Sequence, residues 1–127
     1  MKLIEGLKYS KSHEWIQDLG GGCVLMGLTD YAQDQLSELV YINLPEVGDP
    51  VTAGEPFADV ESVKAVTDVF SAVSGKITEI NEDLLDNPQK VNEDPYGSWL
   101  VRVCDVADCG NLMDAAAYRD FCAAQAQ

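Results

Sequence analysis

The chain has 127 residues, 46% hydrophobic and 24% charged, which suits one soluble domain large enough to bury its own core. Eight Lys and Arg stand against 22 Asp and Glu, a formal charge of −14. A surface of that sign repels nucleic-acid phosphates and anionic membranes and favours partners with basic patches, and no run approaches the roughly 20 apolar residues of a membrane span.

In chain order, residues 1 to 10 read as an extended segment lying on a core, with Leu3, Ile4, Leu7 and Tyr9 as its apolar contacts. A short strand follows over 12 to 16, closed by the glycine turn Gly20, Gly21, Gly22, and a second strand over 23 to 28. Asp30 and Gln33 have the spacing of a capping box and predict a two-turn helix ending at Leu36. Strands are expected over 39 to 44, over 51 to 54 after the loop at Pro45 and Pro50, and as a pair over 57 to 62 and 66 to 70. Val73, Ser74 and Gly75 form a turn into a strand over 76 to 80. Residues 81 to 95, interrupted by Pro88 and Pro95, read as a loop with one helical turn around Leu84 and Leu85. The last strand spans 99 to 104, and a helix over 112 to 124 sets Leu112, Ala115, Tyr118 and Cys122 along one face. The whole predicts a mainly β fold, a small sandwich or barrel closed by a C-terminal helix, in a single domain over 1 to 127.

The four cysteines, Cys23, Cys104, Cys109 and Cys122, fall at scattered spacings without a Cys-x-x-Cys pair, and the one histidine, His13, completes no metal set with them. They read as free thiols in a reducing compartment, while their even number leaves a two-disulfide framework formally open. Residues 1 to 12 carry neither a long apolar run nor an arginine-rich amphipathic pattern, so the expectation is a cytoplasmic protein or one already trimmed of a targeting peptide.

The stretch that organises the chain is Glu61-Ser62-Val63-Lys64-Ala65-Val66. Strand-like runs on both sides leave only Val63, Lys64 and Ala65 to turn between them, which puts Lys64 at the tip of a hairpin. The usual hairpin formers, Asn-Gly, Asp-Gly or any glycine, are missing from this turn, so backbone convenience does not explain its residues. Lys64 is either a solvated loop lysine or a modification target presented on a rigid scaffold.

Several strings, in order, decide between these: Ser-His-Glu-Trp at 12 to 15, Gly-Leu-Thr-Asp-Tyr-Ala-Gln at 27 to 33, Leu-Pro-Glu-Val-Gly-Asp at 44 to 49, Val-Glu-Ser-Val-Lys-Ala-Val at 60 to 66, Val-Ser-Gly at 73 to 75, Val-Asn-Glu-Asp-Pro-Tyr-Gly at 91 to 97 and Asp-Ala-Ala-Ala-Tyr at 114 to 118. Over residues 7 to 121 the chain resembles the glycine cleavage system H proteins, the lipoyl-bearing carriers of glycine decarboxylation. The resemblance implies a lipoyl-type barrel-sandwich hybrid of two antiparallel sheets with short helices and a C-terminal helix, and lipoate joined by an amide to Lys64. It implies that Glu61, Gly48 and Gly75 help the modifying enzyme, a lipoate ligase or a lipoyl/octanoyl transferase, to recognise the loop. It further implies an arm cleft in which Ser12, Glu14 and Asp68 shelter a protonated aminomethyl cargo, with His13 a structural hydrogen-bonder beside Trp15 rather than a base.

The partners implied are a pyridoxal-phosphate glycine decarboxylase, a tetrahydrofolate-dependent aminomethyltransferase and a dihydrolipoyl dehydrogenase using FAD and NAD. The chain itself would be a non-catalytic carrier, a monomer without nucleic acid or membrane among its partners. Readings from other classes are a lipoyl carrier or relay for another pathway, a biotin acceptor, against which Val63 and Ala65 speak because such acceptors flank their lysine with methionines, and an unmodified acidic binding module. The chain departs from the family pattern at Ser37-Glu38, where Gly-Asp or Gly-Glu is usual, and in the spacing of Pro-Tyr-Gly-Ser-Trp at 95 to 99.

Overall fold

The computed structural model of the chain describes residues 1–109 and 112–125. Among the described residues nine strands and four helices follow one another as β1 (Lys8–Tyr9), β2 (Glu14–Gly20), β3 (Cys23–Leu28), α1 (Asp30–Leu36), β4 (Leu39–Asn43), β5 (Pro50–Val51), β6 (Pro56–Ser62), β7 (Val66–Phe70), β8 (Ser74–Ile80), α2 (Asp83–Asp86), α3 (Lys90–Glu93), β9 (Val101–Asp108) and α4 (Ala115–Gln125). They build two antiparallel sheets, one of six strands in the order β1-β2-β3-β9-β8-β5 and one of three in the order β4-β6-β7. This is the mainly β, two-sheet architecture with short helices and a C-terminal helix that the sequence implied.

Alternation along the strands sorts the side chains into two cores. Ile16, Val24, Met26, Leu28, Val101 and Val103 face inward and meet Ile42, Val60 and Val69 of the smaller sheet. The opposite face of the larger sheet carries Tyr9 and Trp15, on which Ala115, Tyr118 and Cys122 of α4 pack. Trp15 lies directly across from Gly27 and its indole N–H donates to the Pro95 carbonyl at 3.1 Å. Residue 27 must be glycine for steric reasons, because a Cβ there would meet the Trp15 ring at 2.6 Å.

Several boundaries differ from those read off the sequence. Thr29, not Asp30, caps α1, its hydroxyl accepting from the Ala32 N–H at 3.1 Å, while Asp30 instead accepts from the Gln33 side chain at 2.8 Å. The C-terminal helix starts at Ala115 rather than at Leu112. Met113 bridges to Tyr9 in extended conformation, and the Asp114 carboxylate accepts from the Ala117 N–H at 2.8 Å. Residues 81 to 95 hold two separate helical turns, α2 and α3, not one. Trp99 precedes the last strand and packs in the α4 cluster, and β9 continues past Cys104 to Asp108 through a bend at Asp105, which has a φ of 55°.

The expectation of four free thiols also fails. Cys23 and Cys104 form a disulfide across β3 and β9, while Cys109 is an exposed thiol and Cys122 a buried one. Their sequence separation of 81 hid the fact that register sets them on facing positions of neighbouring strands.

Gly27→Ala is expected to destabilise the fold by about 1–3 kcal/mol, because the added methyl must displace a buried indole. Urea unfolding of the two proteins checks this, and equal midpoints would show that Trp15 is free to move.

Candidate functional site

Residues 62 to 65 make the hairpin tip between β6 and β7, and Ser62 closes it. Its hydroxyl accepts from the N–H groups of Lys64 at 3.1 Å and Ala65 at 3.2 Å, and its own N–H donates to the Ala65 carbonyl at 2.9 Å. A serine turn thus replaces the glycine that the sequence lacks, and turn chemistry does account for part of the motif. The tip is anchored to the end of α1. The Val63 N–H donates to the Glu38 carbonyl at 3.0 Å, and Lys64 Nζ donates to the Gln35 carbonyl at 3.4 Å.

The Ser37-Glu38 departure from the family pattern falls at this anchor. Ser37 takes a φ of 67°, the region a glycine would favour, and is held by Asn92 of α3. The Asn92 amide donates to the Ser37 carbonyl at 2.7 Å and to the Gln33 side chain at 3.1 Å, and its oxygen accepts from the Leu39 N–H at 2.9 Å. Nothing in the sequence assigned Gln35, Glu38 and Asn92 a role in holding the tip, and two of them act through backbone carbonyls, which any residue supplies.

Beside this anchor a cleft of about 490 Å³ opens between the sheets. Leu28 from β3, Ala32 and Leu36 from α1, and Val60 and Val69 from the smaller sheet make its walls apolar. Gln35, which holds the lysine, also lines it, with Ser12 and His13 from the β1–β2 connection and Glu14 from the start of β2. Glu14 shares the inward face of β2 with Ile16 and is only 1% exposed. Its carboxylate accepts from Ser10 Oγ at 2.7 Å and Ser12 Oγ at 2.5 Å. Burial pushes this carboxyl above the ordinary range, opposed by the two serine hydroxyls and the Phe70 backbone.

His13, also in the wall, has a φ of 74°. Its partners are not Trp15 but Tyr118, whose hydroxyl lies 2.7 Å from Nδ1, and Tyr31, whose ring centroid is 4.6 Å away. The same Tyr118 hydroxyl lies 2.7 Å from Thr29 Oγ1, so one phenol on α4 joins His13 to the cap of α1. Burial pulls the imidazole below its ordinary value, with Gln125 acting the other way.

The remaining sequence-predicted residues are only partly brought together here. Asp68 contributes to the cleft rim, yet its cross-strand row, Asn43–Asp59–Asp68, belongs to the outer face of the smaller sheet, opposite to Val60 and Thr67. Glu61 is exposed on that same outer face, in a row with Tyr41 and Val66 beside the tip. Gly48 and Gly75 lie on the six-stranded sheet side. Gly48 turns with a φ of 99° and donates its N–H to the Ile77 carbonyl, and Gly75 is inside β8, not in a turn before it, where a Cβ would sit 2.6 Å from the Cys104 carbonyl.

A cleft with aliphatic walls and one buried carboxylate, whose lining residue Gln35 holds Lys64, fits a chain of methylenes such as a lipoyl group on that lysine would supply. Among the described residues no group of three or more His, Cys, Asp or Glu is placed to hold a metal, and no helix is long and apolar enough to cross a membrane.

Comparison with known proteins gives the same direction. A model of the family described as Glycine cleavage H-protein matches residues 7–125. The probable glycine cleavage system H protein of Pyrococcus abyssi is 50% identical over 123 residues, covering 94% of this chain and 92% of the relative. The glycine cleavage system H protein of Lachnoclostridium phytofermentans is 47% identical over 121 residues, with 95% of each chain covered. The crystal structure of a glycine cleavage system H protein from Mycobacterium marinum superposes with a TM-score of 0.88 at 34% identity, covering 98% of this chain and all of that one. With a family match over nearly its whole length and relatives near half identical, the chain belongs to the glycine cleavage H-protein family of lipoyl carriers.

Proposed function

We propose that the chain carries lipoate on Lys64 and shuttles the aminomethyl intermediate of glycine decarboxylation between the pyridoxal-phosphate decarboxylase, the tetrahydrofolate-dependent aminomethyltransferase and the dihydrolipoyl dehydrogenase. The observation that supports this most directly is Glu14, a buried carboxylate in a cleft with aliphatic walls, one of whose lining residues, Gln35, holds Lys64. An amide-linked lipoyl group supplies a ring disulfide that opens to a dithiol and takes cargo on sulfur. The chain's own residues do the rest, and none of them is a catalyst.

Lys64 provides the tether, and the Gln35 carbonyl, which now accepts from the ammonium, is left to accept from the amide N–H after acylation. Leu28, Leu36, Val60 and Val69 exclude water from a folded-back arm. Glu14 supplies the negative charge for a cationic amine, and Ser10 and Ser12 hold its carboxylate so that no reorganisation is needed when the cargo arrives. Asp68 adds a second charge at the rim. His13, kept neutral by burial, brings no competing cation into the cleft. Glu61, set between Tyr41 and Val66 on the outer face, the turn at Gly48 and the close strand packing that Gly75 permits are the features we assign to recognition by the lipoylating enzyme. We place this traffic in the cytoplasm, with the enzymes meeting an acidic carrier through basic surfaces.

Intact-mass analysis of protein made in a lipoate-producing host, with fragmentation across residues 56 to 75, is expected to find one lipoyl increment on Lys64 that is absent from Lys64→Arg. An unmodified Lys64 would sink the carrier reading. In loaded protein without enzymes, Glu14→Gln is expected to release ammonia about tenfold faster than the parent, the worth of one charge-assisted hydrogen bond. Equal rates would remove Glu14 from the shelter.

The unloaded protein offers a stability counterpart. A carboxyl whose folded pKa is raised contributes stability that is fully present below its unfolded pKa and lost as pH rises through the folded one. Glu14→Gln is therefore expected to melt above the parent at pH 7 and to lose that advantage below about pH 4. A pH-independent difference in thermal scans would contradict this.

A further inference from the structure

His13 is the chain's one histidine, and its ring lines the cleft with Glu14. The backbone fixes where that ring stands. The His13 N–H donates to the Ser10 carbonyl at 3.1 Å, and the His13 carbonyl accepts from the Thr29 N–H at 3.1 Å. The ring then packs against Tyr31 of α1 and against Tyr118 and Phe121 of α4. The titratable groups around it are Glu14 on β2, Tyr31 on α1, Asp68 on β7, and Tyr118 and Cys122 on α4.

Which ring nitrogen carries the proton follows from counting hydrogens. Thr29 and Tyr118 are fully buried, so neither hydroxyl has water to turn to. Among the described residues Thr29 Oγ1 has two hydrogen-bond neighbours, the Ala32 N–H at 3.1 Å and the Tyr118 hydroxyl at 2.7 Å. The first is a donor, so the Thr29 hydrogen goes to the Tyr118 oxygen. Tyr118 then gives its own hydrogen to His13 Nδ1, 2.7 Å away. Cys122, one turn on, also borders this hydroxyl, but a thiol sulfur is a weak acceptor beside an imidazole nitrogen. Nδ1 is thus an acceptor, and the proton of the neutral ring is on Nε2. The other tautomer, or an imidazolium, would reverse the chain and leave the Thr29 hydrogen buried without an acceptor. An N–H is what remains for the cleft, which the ring lines together with Gln125.

Resting on the carrier function above, we propose that Tyr118, backed by Thr29, is a positioning residue that holds His13 as its Nε2–H tautomer and so keeps a base away from the aminomethyl cargo. An amine joined to sulfur through one carbon is retained while it is protonated. Once a base takes its proton, the nitrogen lone pair forms a C=N bond and the C–S bond breaks with its pair on sulfur. Water converts the iminium to formaldehyde and ammonium, and the base returns its proton to the sulfur. An imidazole with a free Nε2 lone pair in the cleft accepts such a proton, whereas Nε2–H cannot. Glu14 acts the other way, because an ammonium beside it favours its ionised form and the proton stays on nitrogen.

The first test needs no lipoate. In the full chain as Lys64→Arg at about pH 8, NMR of the imidazole nitrogens of this sole histidine is expected to show Nδ1 unprotonated and Nε2 protonated. Tyr118→Phe is expected to shift the tautomer ratio about tenfold toward Nδ1–H, the worth of one hydrogen bond, while Thr29→Ser, which keeps the hydroxyl, matches the parent. In loaded protein without enzymes, Tyr118→Phe is expected to release ammonia about tenfold faster than the parent above the His13 titration and at the parental rate below it. Adding His13→Asn is expected to cancel that gain, whereas a mere packing defect would speed release at every pH and survive the second substitution. The proposal is overturned if Nδ1 carries the proton in the parent, or if Tyr118→Phe leaves the tautomer ratio unchanged. A shifted ratio without a pH-dependent gain in ammonia release overturns the protective role. A chain whose mass shows no lipoyl group on Lys64 sinks the carrier reading and this role with it, and the mass tells that failure from the others.

Discussion

The structure of the cleft turns on one carboxylate kept where carboxylates are costly. Glu14 points inward from β2, in line with Ile16, and is held by Ser10 and Ser12 in a space walled largely by Leu28, Ala32, Leu36, Val60 and Val69. An isolated charge in such a setting is destabilising unless it is paired or hydrogen-bonded. The two serines lower that cost but bring no positive charge. On the function proposed, the missing cation is the cargo, so the site is electrostatically incomplete until the carrier is loaded.

The rest of the fold can be understood as tying Lys64 to the cleft that holds that carboxylate. The hairpin carries the lysine, but its position relative to the cleft depends on contacts outside the hairpin. The Glu38 carbonyl holds Val63, the Gln35 carbonyl holds Lys64, and Asn92 fixes the left-handed Ser37 between them. On the other side, the Tyr118 hydroxyl links His13, next to Glu14, with Thr29, the cap of α1. The C-terminal helix is therefore more than a cover for the hydrophobic cluster around Trp15. It joins the wall that bears the carboxylate to the helix that anchors the tip.

Much of this was legible in the sequence because it is written in side-chain pattern. The β-branched runs on either side of Val63-Lys64-Ala65 located the hairpin, and the family strings identified the fold and singled out Glu14, Ser12 and Lys64. What escaped was carried by backbone or by register. The anchoring carbonyls of Gln35 and Glu38 leave no trace in residue identity, and Ser62 looked like an ordinary strand residue until its hydroxyl was seen closing the turn. Ser10 was read only as the end of an extended segment, because nothing local announces a hydroxyl aimed at a carboxylate four residues on. The Cys23–Cys104 pairing depends on which strands become neighbours, and the late start of α4 reflects the tertiary bridge between Met113 and Tyr9 overriding an alanine-rich helical pattern.

The central claim is that Glu14 is a buried, under-neutralised carboxylate waiting for a cationic partner. Titration of its side-chain carbon by NMR, in unloaded protein and in protein bearing the aminomethyl group, tests it directly. The account predicts a pKa above the ordinary glutamate range in the unloaded form and a fall on loading, as the ammonium favours the ionised state. A carboxyl that titrates at the ordinary value, or one that does not respond to loading, would contradict it.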